Sequence, residues 1–504
     1  MKLICLKNEL MKREGLYVSQ VGRTENIEIS DIQYHSQQVQ SGDVFVCIRG
    51  ENTDGHFYAA DAVDAGASAL IVEEVVEVDD EVPQIVVQNS LEAMGIASDV
   101  LFGHPTGELL LFGVTGTSGK TTTSSLIRHI LEYSGVSTGL VGTVEDVIGG
   151  RRFDSDLTTP QSSDLQRFFR QMIDSGDESA VMEVSSHALE LHRVERSAFN
   201  IGVFTNLAPE HLDFHQSMED YLAAKTKLFT MLTSEGAETE ATAVLNADDP
   251  KSTVIANKTN SSIIYYGIND GDIRASELDL QPDHSRFLLH MPDETIEVDM
   301  SLPGRFNVYN ATAAAAAVWA AGLKPEKISA SLGTAEPIAG RFEVVSRPDD
   351  DVIVVVDFAH TPDELENLLE TVTDIADHRV IVAFGCGGNR DTSKRPVMGE
   401  IAERLADFVM VTSDNPRSED PQSIIDDVIE GMNDPQTCEA CADRSEAVGR
   451  CIEVAEPGDV VVLAGKGHET YQVFANEKKV HYDDRQQARF FLRERRRRRG
   501  RMRR

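Results

Sequence analysis

The stretch LLLFGVTGTSGKTTTSSL, residues 109–126, predicts a β-strand, a glycine-rich loop and a helix in that order. Its apolar start, residues 109–114, is typical of a buried strand, and apolar side chains then recur with helical spacing at Leu126, Ile127, Ile130 and Leu131. The glycines in between let backbone N–H groups approach an anion, and the N-terminus of the helix adds a favourable dipole. The stretch therefore predicts an anion-binding turn at the edge of an α/β sheet.

Lys120 and Thr121 occupy the positions at which a phosphate-binding loop has its lysine and its magnesium-binding hydroxyl. The spacing departs from G-x-x-x-x-G-K-[ST], because five residues, not four, separate Gly113 from Gly119. A chance Gly-Lys-Thr in a surface loop is the alternative, but the strand before it and the helix after it favour a nucleoside triphosphate site. The candidate residues of the loop are Gly116, Thr117, Ser118, Gly119, Lys120, Thr121 and Thr122.

The composition limits the class of protein. A chain of 504 residues predicts about three domains, and 41% hydrophobic residues are enough for packed cores. The net charge of −37 argues against general binding of nucleic acid. Six cysteines do not form a disulfide scaffold in a chain of this length, and no apolar run approaches the roughly 20 residues of a membrane span. We expect a cytoplasmic protein without a membrane span.

The chain divides into three units, residues 1–106, 107–339 and 340–504. The first predicts a small α/β domain that holds part of a substrate. The third contains four apolar runs typical of buried parallel strands, at residues 352–356, 380–384, 408–411 and 460–464. Polar loops follow all four, which predicts a doubly wound domain with a ligand crevice at the carboxyl ends of its strands.

Polar side chains also follow strands in the central unit. Glu183 and His211 come after two short apolar runs, and strands in an open α/β sheet gather their ligands at their carboxyl ends. Either residue alone is more often structural, but together they favour a second cation site or a γ-phosphate site. Asn307 and Asn310 share a face near the start of an alanine-rich helix, where capping by one asparagine is the alternative.

Two further features are expected to have no catalytic role. Cys438 and Cys441 form a single C-x-x-C motif without a second pair, and we interpret it as incidental. The C-terminal segment RERRRRRGRMRR, residues 493–504, predicts a disordered, solvated tail, with a docking arm for an acidic surface or nucleic acid as the alternative.

Eleven motifs, in order over nearly the whole chain, resemble those of the Mur ligase family, the ATP-dependent amide-forming enzymes that build cell-wall peptide. They are GTSGKTTT, MEVSSHAL, NLAPEHLDFH, YLAAKTKLF, LNADDP, GRFNVYN, GRFE, DFAHTPD, FGCGGNRD, SDNPRSEDP and GKGHE. The resemblance implies three α/β domains: a small N-terminal UDP-substrate domain, a central P-loop ATPase-like domain and a C-terminal Rossmann-like doubly wound domain for the amino acid. It also implies that ATP and Mg²⁺ are used to add meso-diaminopimelate to UDP-N-acetylmuramoyl-L-alanyl-D-glutamate through an acyl phosphate. We expect a monomer.

Residue roles follow from the resemblance position by position. The implied catalytic residues are Lys120, Glu183, His211 and Lys225, and the implied metal ligands are Thr121, Glu183, His211 and Lys225 as a carbamate (N6-carboxylysine). A carbamate turns a cation into an anion that can help to hold magnesium beside a triphosphate. Further ATP contacts are Asn307, Asn310, Arg341 and Asp357, and contacts to the UDP-linked substrate are Ser36, Thr158, Thr159, Ser185 and Arg193. The implied amino-acid contacts are Arg390, Asp414, Asn415, Arg417, Gly465 and Glu469.

Arg417 carries the substrate preference in this interpretation. Family members that add meso-diaminopimelate have arginine at this position, whereas those that add lysine usually have a different residue. A guanidinium can hold a carboxylate with two parallel hydrogen bonds, and meso-diaminopimelate has one carboxylate more than lysine.

The sequence also departs from the family pattern. His35 and Gln37 stand where relatives usually have aspartate and arginine, and Leu191 stands where glutamine is common. These positions bear on the UDP-linked acceptor, so addition of lysine or another amino acid to a different acceptor is one alternative. A P-loop switch that hydrolyses nucleotide is the other, although the loops at 414–417 and 465–469 have no role in a simple switch.

Overall fold

The computed structural model describes residues 1–50, 53–155, 157–212, 214–235, 239–434 and 438–502. Three open sheets, each covered by helices, follow one another along the chain, in agreement with the predicted α/β class. The N-terminal sheet has the order β1-β5-β4-β3-β2, in which β1 is antiparallel to β5 and the other pairs are parallel. Its strands are β1 (Tyr17–Val21), β2 (Ile32–Gln33), β3 (Val44–Val46), β4 (Ala69–Val72) and β5 (Gln84–Val87), and its helices are α1 (Leu3–Lys12), α2 (Ala59–Asp64) and α3 (Ser90–Leu101).

The central unit contains an eleven-stranded sheet among the described residues, with the order β16-β15-β14-β13-β12-β11-β6-β10-β7-β8-β9. The strands are β6 (Leu110–Thr115), β7 (Thr138–Val141), β8 (Glu145–Ile148), β9 (Arg151–Asp154), β10 (Ser179–Glu183), β11 (Ile201–Phe204), β12 (Thr242–Asn246), β13 (Ser262–Gly267), β14 (Ile273–Leu280), β15 (Ser285–His290) and β16 (Thr295–Met300). The helices are α4 (Lys120–Tyr133), α5 (Ser162–Asp174), α6 (Ser186–Glu190), α7 (Met218–Thr230), α8 (Ser252–Ala256), α9 (Arg305–Ala320) and α10 (Pro325–Leu332).

Strand β6 explains why residues 109–114 form a continuous apolar run. The strand is parallel to β10 on one side and to β11 on the other. Its side chains enter two separate cores, since Phe112 packs with helices α4 and α9 on one face and Leu111 packs with α5 and α7 on the other. A strand buried on both faces needs apolar residues at every position. The same arrangement brings the ends of β10 and β11 to the phosphate-binding loop.

The C-terminal unit has a six-stranded sheet of order β17-β18-β22-β19-β20-β21 and a separate hairpin. The strands are β17 (Glu343–Val344), β18 (Ile353–Asp357), β19 (Val380–Phe384), β20 (Phe408–Thr412), β21 (Cys438–Cys441), β22 (Val460–Ala464), β23 (Tyr471–Phe474) and β24 (Lys478–His481). The helices are α11 (Pro362–Ile375), α12 (Lys394–Leu405), α13 (Pro421–Ile429), α14 (Arg444–Val454) and α15 (Asp484–Met502). The four predicted buried strands are present and parallel, as β18, β22, β19 and β20.

The C-terminal arginine segment differs from its prediction. Helix α15 extends to Met502, so residues 493–502 of this segment are helical and not disordered. Arg495 forms two hydrogen bonds with Asp351, at 3.0 and 2.8 Å, and Arg496 pairs with the buried carboxylate of Asp350. The arginine run therefore pairs with an acidic turn at the far side of the same unit.

The alanine-rich helix also begins earlier than expected. Helix α9 starts at Arg305 and its N-cap is Gly304, with a φ of +95°, so neither Asn307 nor Asn310 caps it.

Among the described residues, no helix is both long and apolar enough to span a bilayer.

Candidate active site

The phosphate-binding loop is fixed by residues that follow strand β11. Gly116 has a φ of +153°, and a Cβ at this position would overlap the hydroxyl oxygen of Thr205. That hydroxyl donates to the carbonyl of Ser118 at 2.6 Å, and Asn206 Oδ1 accepts from the Ser118 N–H at 2.9 Å. Gly119, with a φ of +84°, is the N-cap of helix α4. Thr205 and Asn206 directly follow a strand, a position from which they were expected to face the loop, but neither was named as a site residue.

Two lysines converge on the loop. Lys120 Nζ donates to the carbonyls of Gly116 at 3.0 Å and Thr117 at 2.6 Å, and Lys225 Nζ donates to the same Gly116 carbonyl at 2.7 Å. Lys225 is 1% exposed and lies 4.4 Å from the centre of the Tyr221 ring. Burial, and then the charge of Lys120, lower the pKa of Lys225 well below its usual value. The side chain is therefore a neutral amine over a wider pH range than an exposed lysine.

Glu183, at the end of β10, receives three hydrogen bonds beside the start of α4. Thr121 Oγ1 donates to its Oε2 at 3.0 Å, and Thr143 donates through its N–H at 2.7 Å and its hydroxyl at 3.0 Å. Glu183 is 1% exposed. A buried carboxylate beside a hydroxyl offers the oxygen ligands that Mg²⁺ prefers. Thr143 was absent from the sequence prediction, because nothing in its local pattern marks it.

The contacts of His211 are with a different set of side chains from those of Thr121 and Glu183. Its ring packs edge-on against His187, at a centroid distance of 4.6 Å, and its Nε2 lies 3.6 Å from Glu210. Burial lowers the pKa of His211, although Glu210 opposes the shift. Among the described residues, no three histidine, cysteine or carboxylate side chains are grouped as a metal site. Of the four metal ligands that the family resemblance implies, Thr121 and Glu183 contact each other, whereas the contacts given for His211 and Lys225 are with other residues.

The two asparagines of α9 link that helix to the phosphate-binding loop. Asn310 Oδ1 accepts from the Thr123 hydroxyl at 3.3 Å, and Asn310 Nδ2 donates to Asn307 Oδ1 at 3.3 Å. A Cβ on Gly119 would overlap Asn310 Oδ1, so the loop approaches this amide closely. Asn310 therefore lies beside the loop and Asn307 lies beside Asn310, and a contact of either with a nucleotide stays a prediction.

Arg341 connects the C-terminal unit with the loop. Its Nη2 donates to the Thr121 hydroxyl at 3.2 Å, and its guanidinium lies over the Phe358 ring at 4.8 Å. Asp357 accepts backbone N–H groups from Phe342 and Ala359, both at 2.7 Å. Burial raises the pKa of Asp357, and Arg341 opposes this shift. Arg341 thus lies where the two units meet, and Asp357 holds the backbone of Phe342, the residue that follows Arg341.

A cavity of about 300 Å³ opens next to Asn206. It is lined by Asn206, Leu207, Asn246, Asp248, Asp249, Pro250, Lys251 and Tyr309. The Tyr309 hydroxyl donates to Asp248 at 2.8 Å, which fixes one wall. The cavity adjoins the residue that holds Ser118, so it lies beside the phosphate-binding loop. Residues 245–250 are the motif LNADDP, which contributed to the family resemblance but was not assigned to the site.

Four of the predicted contacts to the UDP-linked substrate form one cluster beside Glu183. Thr159 Oγ1 donates to the Glu183 carbonyl at 2.9 Å and accepts from the Ser185 N–H at 3.1 Å. Arg193 donates to the Thr159 carbonyl at 3.0 Å, and the Thr143 and Thr158 hydroxyl oxygens lie 3.1 Å apart. Glu183 therefore connects this cluster to Thr121, because its carbonyl accepts from Thr159 and its carboxylate accepts from Thr121.

Ser36, the fifth predicted contact, belongs to the N-terminal unit. It starts the short 3₁₀ helix Ser36–Gln38. Two residues earlier, the Tyr34 hydroxyl donates to Asp164 on α5 at 2.7 Å, and Arg167 on the same helix pairs with Asp31 at 3.0 Å. These contacts attach the Ser36 segment to the central unit.

The predicted amino-acid crevice of the C-terminal unit contains a buried lysine at its centre. Lys466 Nζ lies 3.2 Å from Asp414 Oδ1 and 2.8 Å from Asn415 Oδ1, and it also pairs with Glu469. Asn415 Nδ2 donates to Glu469 at 3.1 Å. Although burial raises the pKa of Asp414, Lys466 and Arg444 lower it below its usual value. Lys466, which sequence reasoning left out of the site, holds three predicted residues together, and Gly465 lies against Asp414.

Arg417 and Arg390 both lie close to Gly387. Arg417 has a φ of +51°, its N–H donates to the Val473 carbonyl at 2.9 Å, and its Nη1 donates to the Gly388 carbonyl at 2.8 Å. Burial, and then the charge of Arg390, lower the pKa of Arg417. Two neighbouring guanidinium groups with few carboxylate partners suit an anionic ligand.

A phosphate-binding loop in one α/β sheet and a polar crevice at the strand ends of a second define a multidomain P-loop nucleotide-binding protein. Three family models match the chain: "Mur ligase family, catalytic domain" over residues 28–99, "Mur ligase middle domain" over 114–318 and "Mur ligase, glutamate ligase domain" over 340–467. The chain belongs to the Mur ligase family.

Relatives extend this similarity over the whole chain. The chain is 44% identical over 498 residues to a UDP-N-acetylmuramoyl-L-alanyl-D-glutamate–2,6-diaminopimelate ligase of Geobacillus kaustophilus (strain HTA426), covering 98% of this chain and 100% of that protein. It is 45% identical over 452 residues to the ligase of the same name from Bacillus velezensis, covering 89% and 91%. A solved structure of a ligase with this name is similar, with a TM-score of 0.67, 28% identity and coverage of 98% and 99%.

Proposed function

We propose that this protein is an ATP-dependent ligase that joins meso-diaminopimelate to UDP-N-acetylmuramoyl-L-alanyl-D-glutamate. The observation that carries the proposal is the Arg341–Thr121 hydrogen bond, which brings the phosphate-binding loop against the unit that holds the Asp414–Arg417 crevice. The relatives of this name, similar over nearly the full length, supply the substrate class.

The first step activates the acceptor. Its free carboxylate attacks the γ-phosphorus of ATP, the bond to the β-phosphate oxygen breaks, and an acyl phosphate and ADP form. Lys120 offsets the repulsion between the carboxylate and the triphosphate, so the residues act mainly by positioning and charge stabilisation. Mg²⁺, when bound, would neutralise further phosphate charge. Thr121 and Glu183 would hold it, with His211 and a carbamate on Lys225 as further ligands.

The second step forms the amide. The amine of meso-diaminopimelate attacks the acyl carbon, a tetrahedral intermediate forms, and inorganic phosphate leaves. Arg417 and Arg390 would hold the distal carboxylate, and Asp414 would orient an amine through its negative charge. No covalent enzyme nucleophile is needed. Cys386 fits this scheme, because it is 2% exposed and burial raises its thiol pKa to about 12.

We also infer a monomer that works in a reducing, cytoplasmic compartment. Cys47, Cys386 and Cys451 are thiols buried in the cores. The Cys438–Cys441 motif lies on β21, and the described residues contain no group of three metal-ligating side chains.

Phosphate release tests the proposal. The protein is incubated with ATP, Mg²⁺ and UDP-N-acetylmuramoyl-L-alanyl-D-glutamate, with meso-diaminopimelate, with lysine or with no amino acid, at low and high salt. Release that needs both the acceptor and meso-diaminopimelate supports the proposed reaction. Release with lysine but not with meso-diaminopimelate would identify lysine as the amino-acid substrate. Release without any acceptor would favour a nucleotide-hydrolysing switch. No release would direct attention to His35, Gln37 and Leu191 and to another acceptor.

A further inference from the structure

A buried ion pair joins the start of α14 to the start of α15. Arg444 and Asp484 are the first residues of these helices, and their side chains are 1% and 0% exposed. Arg444 Nε donates to Asp484 Oδ1 at 3.0 Å and Nη2 donates to Oδ2 at 2.7 Å, so the pair is bidentate. The Tyr482 hydroxyl donates to the same carboxylate at 2.8 Å. The pair lies outside the predicted site, and neither residue belongs to a motif used above.

The remaining donors of Arg444 reach the backbone of both substrate loops. Nη2 donates to the carbonyl of Ala464 at 2.8 Å, and Nη1 donates to the carbonyl of Ser413 at 3.4 Å. Ala464 ends strand β22 directly before Gly465, and Ser413 directly precedes Asp414. One guanidinium therefore holds the points at which the two loops of the amino-acid crevice leave their strands.

The residue after Asp484 makes a third link. Arg485 Nη2 donates to the carbonyl of His468 at 3.1 Å, in the loop that carries Glu469. Arg485 is itself fixed by Asp483 at 2.8 Å. The first turn of α15 thus contacts the 465–469 loop directly and, through Arg444, both loops at their origins.

We propose that Arg444 and Asp484 form a positioning pair for the amino-acid substrate: Asp484 orients the guanidinium, and Arg444 fixes the loops that carry Asp414, Asn415 and Glu469. This inference rests on the proposed function. A pair that is merely structural could be replaced by apolar residues of similar size with little loss of stability, because burying two charges has a large desolvation cost. Only the guanidinium, however, supplies several N–H donors in a fixed plane to two carbonyls.

The test is the double variant Arg444→Met/Asp484→Leu in the full-length protein. We expect a thermal midpoint close to that of the wild type, a KM for meso-diaminopimelate raised about tenfold or more, and KM values for ATP and the acceptor within about twofold, since small displacements of positioning groups are costly. Arg450→Gln is the matched control, because Arg450 lies on the same helix, is exposed, and pairs with Glu439 at the surface.

A second variant keeps the test decisive if the double variant is unstable. Arg444→Lys retains the charge that pairs with Asp484 but cannot serve the carboxylate and both carbonyls with a planar fork. We expect a smaller rise in the same KM and none in the others. An unchanged KM for meso-diaminopimelate in a folded variant, or an equal rise for all three substrates, would overturn the inference. If wild-type protein itself does not use meso-diaminopimelate, the proposed function fails instead.

Discussion

Arg341 Nη2 donates a hydrogen bond to the hydroxyl of Thr121 over 3.2 Å, so a residue at the start of the C-terminal unit contacts the second residue of helix α4. The same hydroxyl donates to Glu183. A guanidinium and a carboxylate therefore meet at the position where the phosphate-binding loop would place a metal-bound hydroxyl. We therefore expect closure of the C-terminal unit to be coupled to nucleotide binding through the Thr121 side chain.

Replacing Lys120 with alanine removes the cation that covers the loop carbonyls of Gly116 and Thr117. We expect the rate of ADP formation to fall by about 10²–10³-fold or more, because a preorganised charge at the transferring phosphate is lost. A coupled ADP assay with saturating acceptor measures this. Lys258→Ala, at an exposed lysine, is the control. Retained activity in Lys120→Ala would refute the phosphate-loop assignment.

Lys225 provides a test of the carbamate hypothesis. Its lowered pKa favours the neutral amine, which is the form that reacts with carbon dioxide. Lys225→Ala is expected to lose nearly all activity and to regain part of it with added formate or acetate. Lys227→Ala, on the same helix but paired with Glu190 at the surface, is expected to behave as wild type. A Lys225→Ala variant with full activity in the absence of added anion would exclude the carbamate.

Arg417 is expected to set the choice of amino acid. Arg417→Ala removes a charge-assisted contact of about 1.5–3 kcal/mol, which corresponds to a loss of roughly 10–100-fold in kcat/KM for meso-diaminopimelate relative to lysine. Steady-state kinetics with both amino acids measure the ratio. Arg404→Ala, at an exposed ion pair on α12, is the control. An unchanged ratio would assign the distal carboxylate to another group.

The pH dependence of stability should carry a contribution from His468. Burial, aided by the charges of Arg341, Arg485 and Lys466, lowers its pKa to about 4, whereas an unfolded histidine has a pKa near 6.5. Between these values the unfolded chain binds a proton that the folded chain does not, so stability falls as pH falls from about 6.5 to about 4. Thermal midpoints should fall less steeply over this window in His468→Gln. His481→Gln, at an exposed site, should keep the wild-type slope, and equal slopes in all three proteins would contradict the assignment.

The arginine segment should contribute to stability through its partners. Arg495→Gln/Arg496→Gln breaks the partly buried pairs with Asp351 and Asp350. We expect a loss of about 1–2 kcal/mol, seen as a fall of roughly 2–6 °C in the midpoint of the C-terminal unit. Arg497→Gln/Arg498→Gln changes the charge equally at exposed positions and is the control. Equal effects of the two double variants would indicate general charge, not pairing.

The sequence predicted the elements whose signal is local. Strand β19, with five consecutive buried apolar residues, coincides with the predicted run at 380–384, and the phosphate-binding loop follows its strand as expected. The family models and the similar solved structure also confirmed the family and the class of fold. Both could be predicted because eleven motifs in order are far more specific than any one of them. The assignments of individual site residues remain predictions.

The contacts that the sequence did not predict join residues that are far apart in the chain. Lys225 has the helical setting of a surface lysine, but its amine reaches the carbonyl of Gly116, 109 residues earlier. Thr143 acts through contacts with Glu183 that no local pattern encodes. The arginine run looked solvated because its carboxylates, Asp350 and Asp351, lie about 145 residues before it.

Arg417 combines its side-chain contacts with a backbone in the left-handed region, at a φ of +51°. That conformation costs an arginine about 1 kcal/mol and costs asparagine, aspartate and glycine less. Substitutions at position 417 therefore change the conformational energy of the backbone as well as the side chain: glycine and short polar residues lower the strain, and β-branched residues raise it. A change in amino-acid preference at this position has to be distinguished from a change in loop geometry before it is attributed to the new side chain.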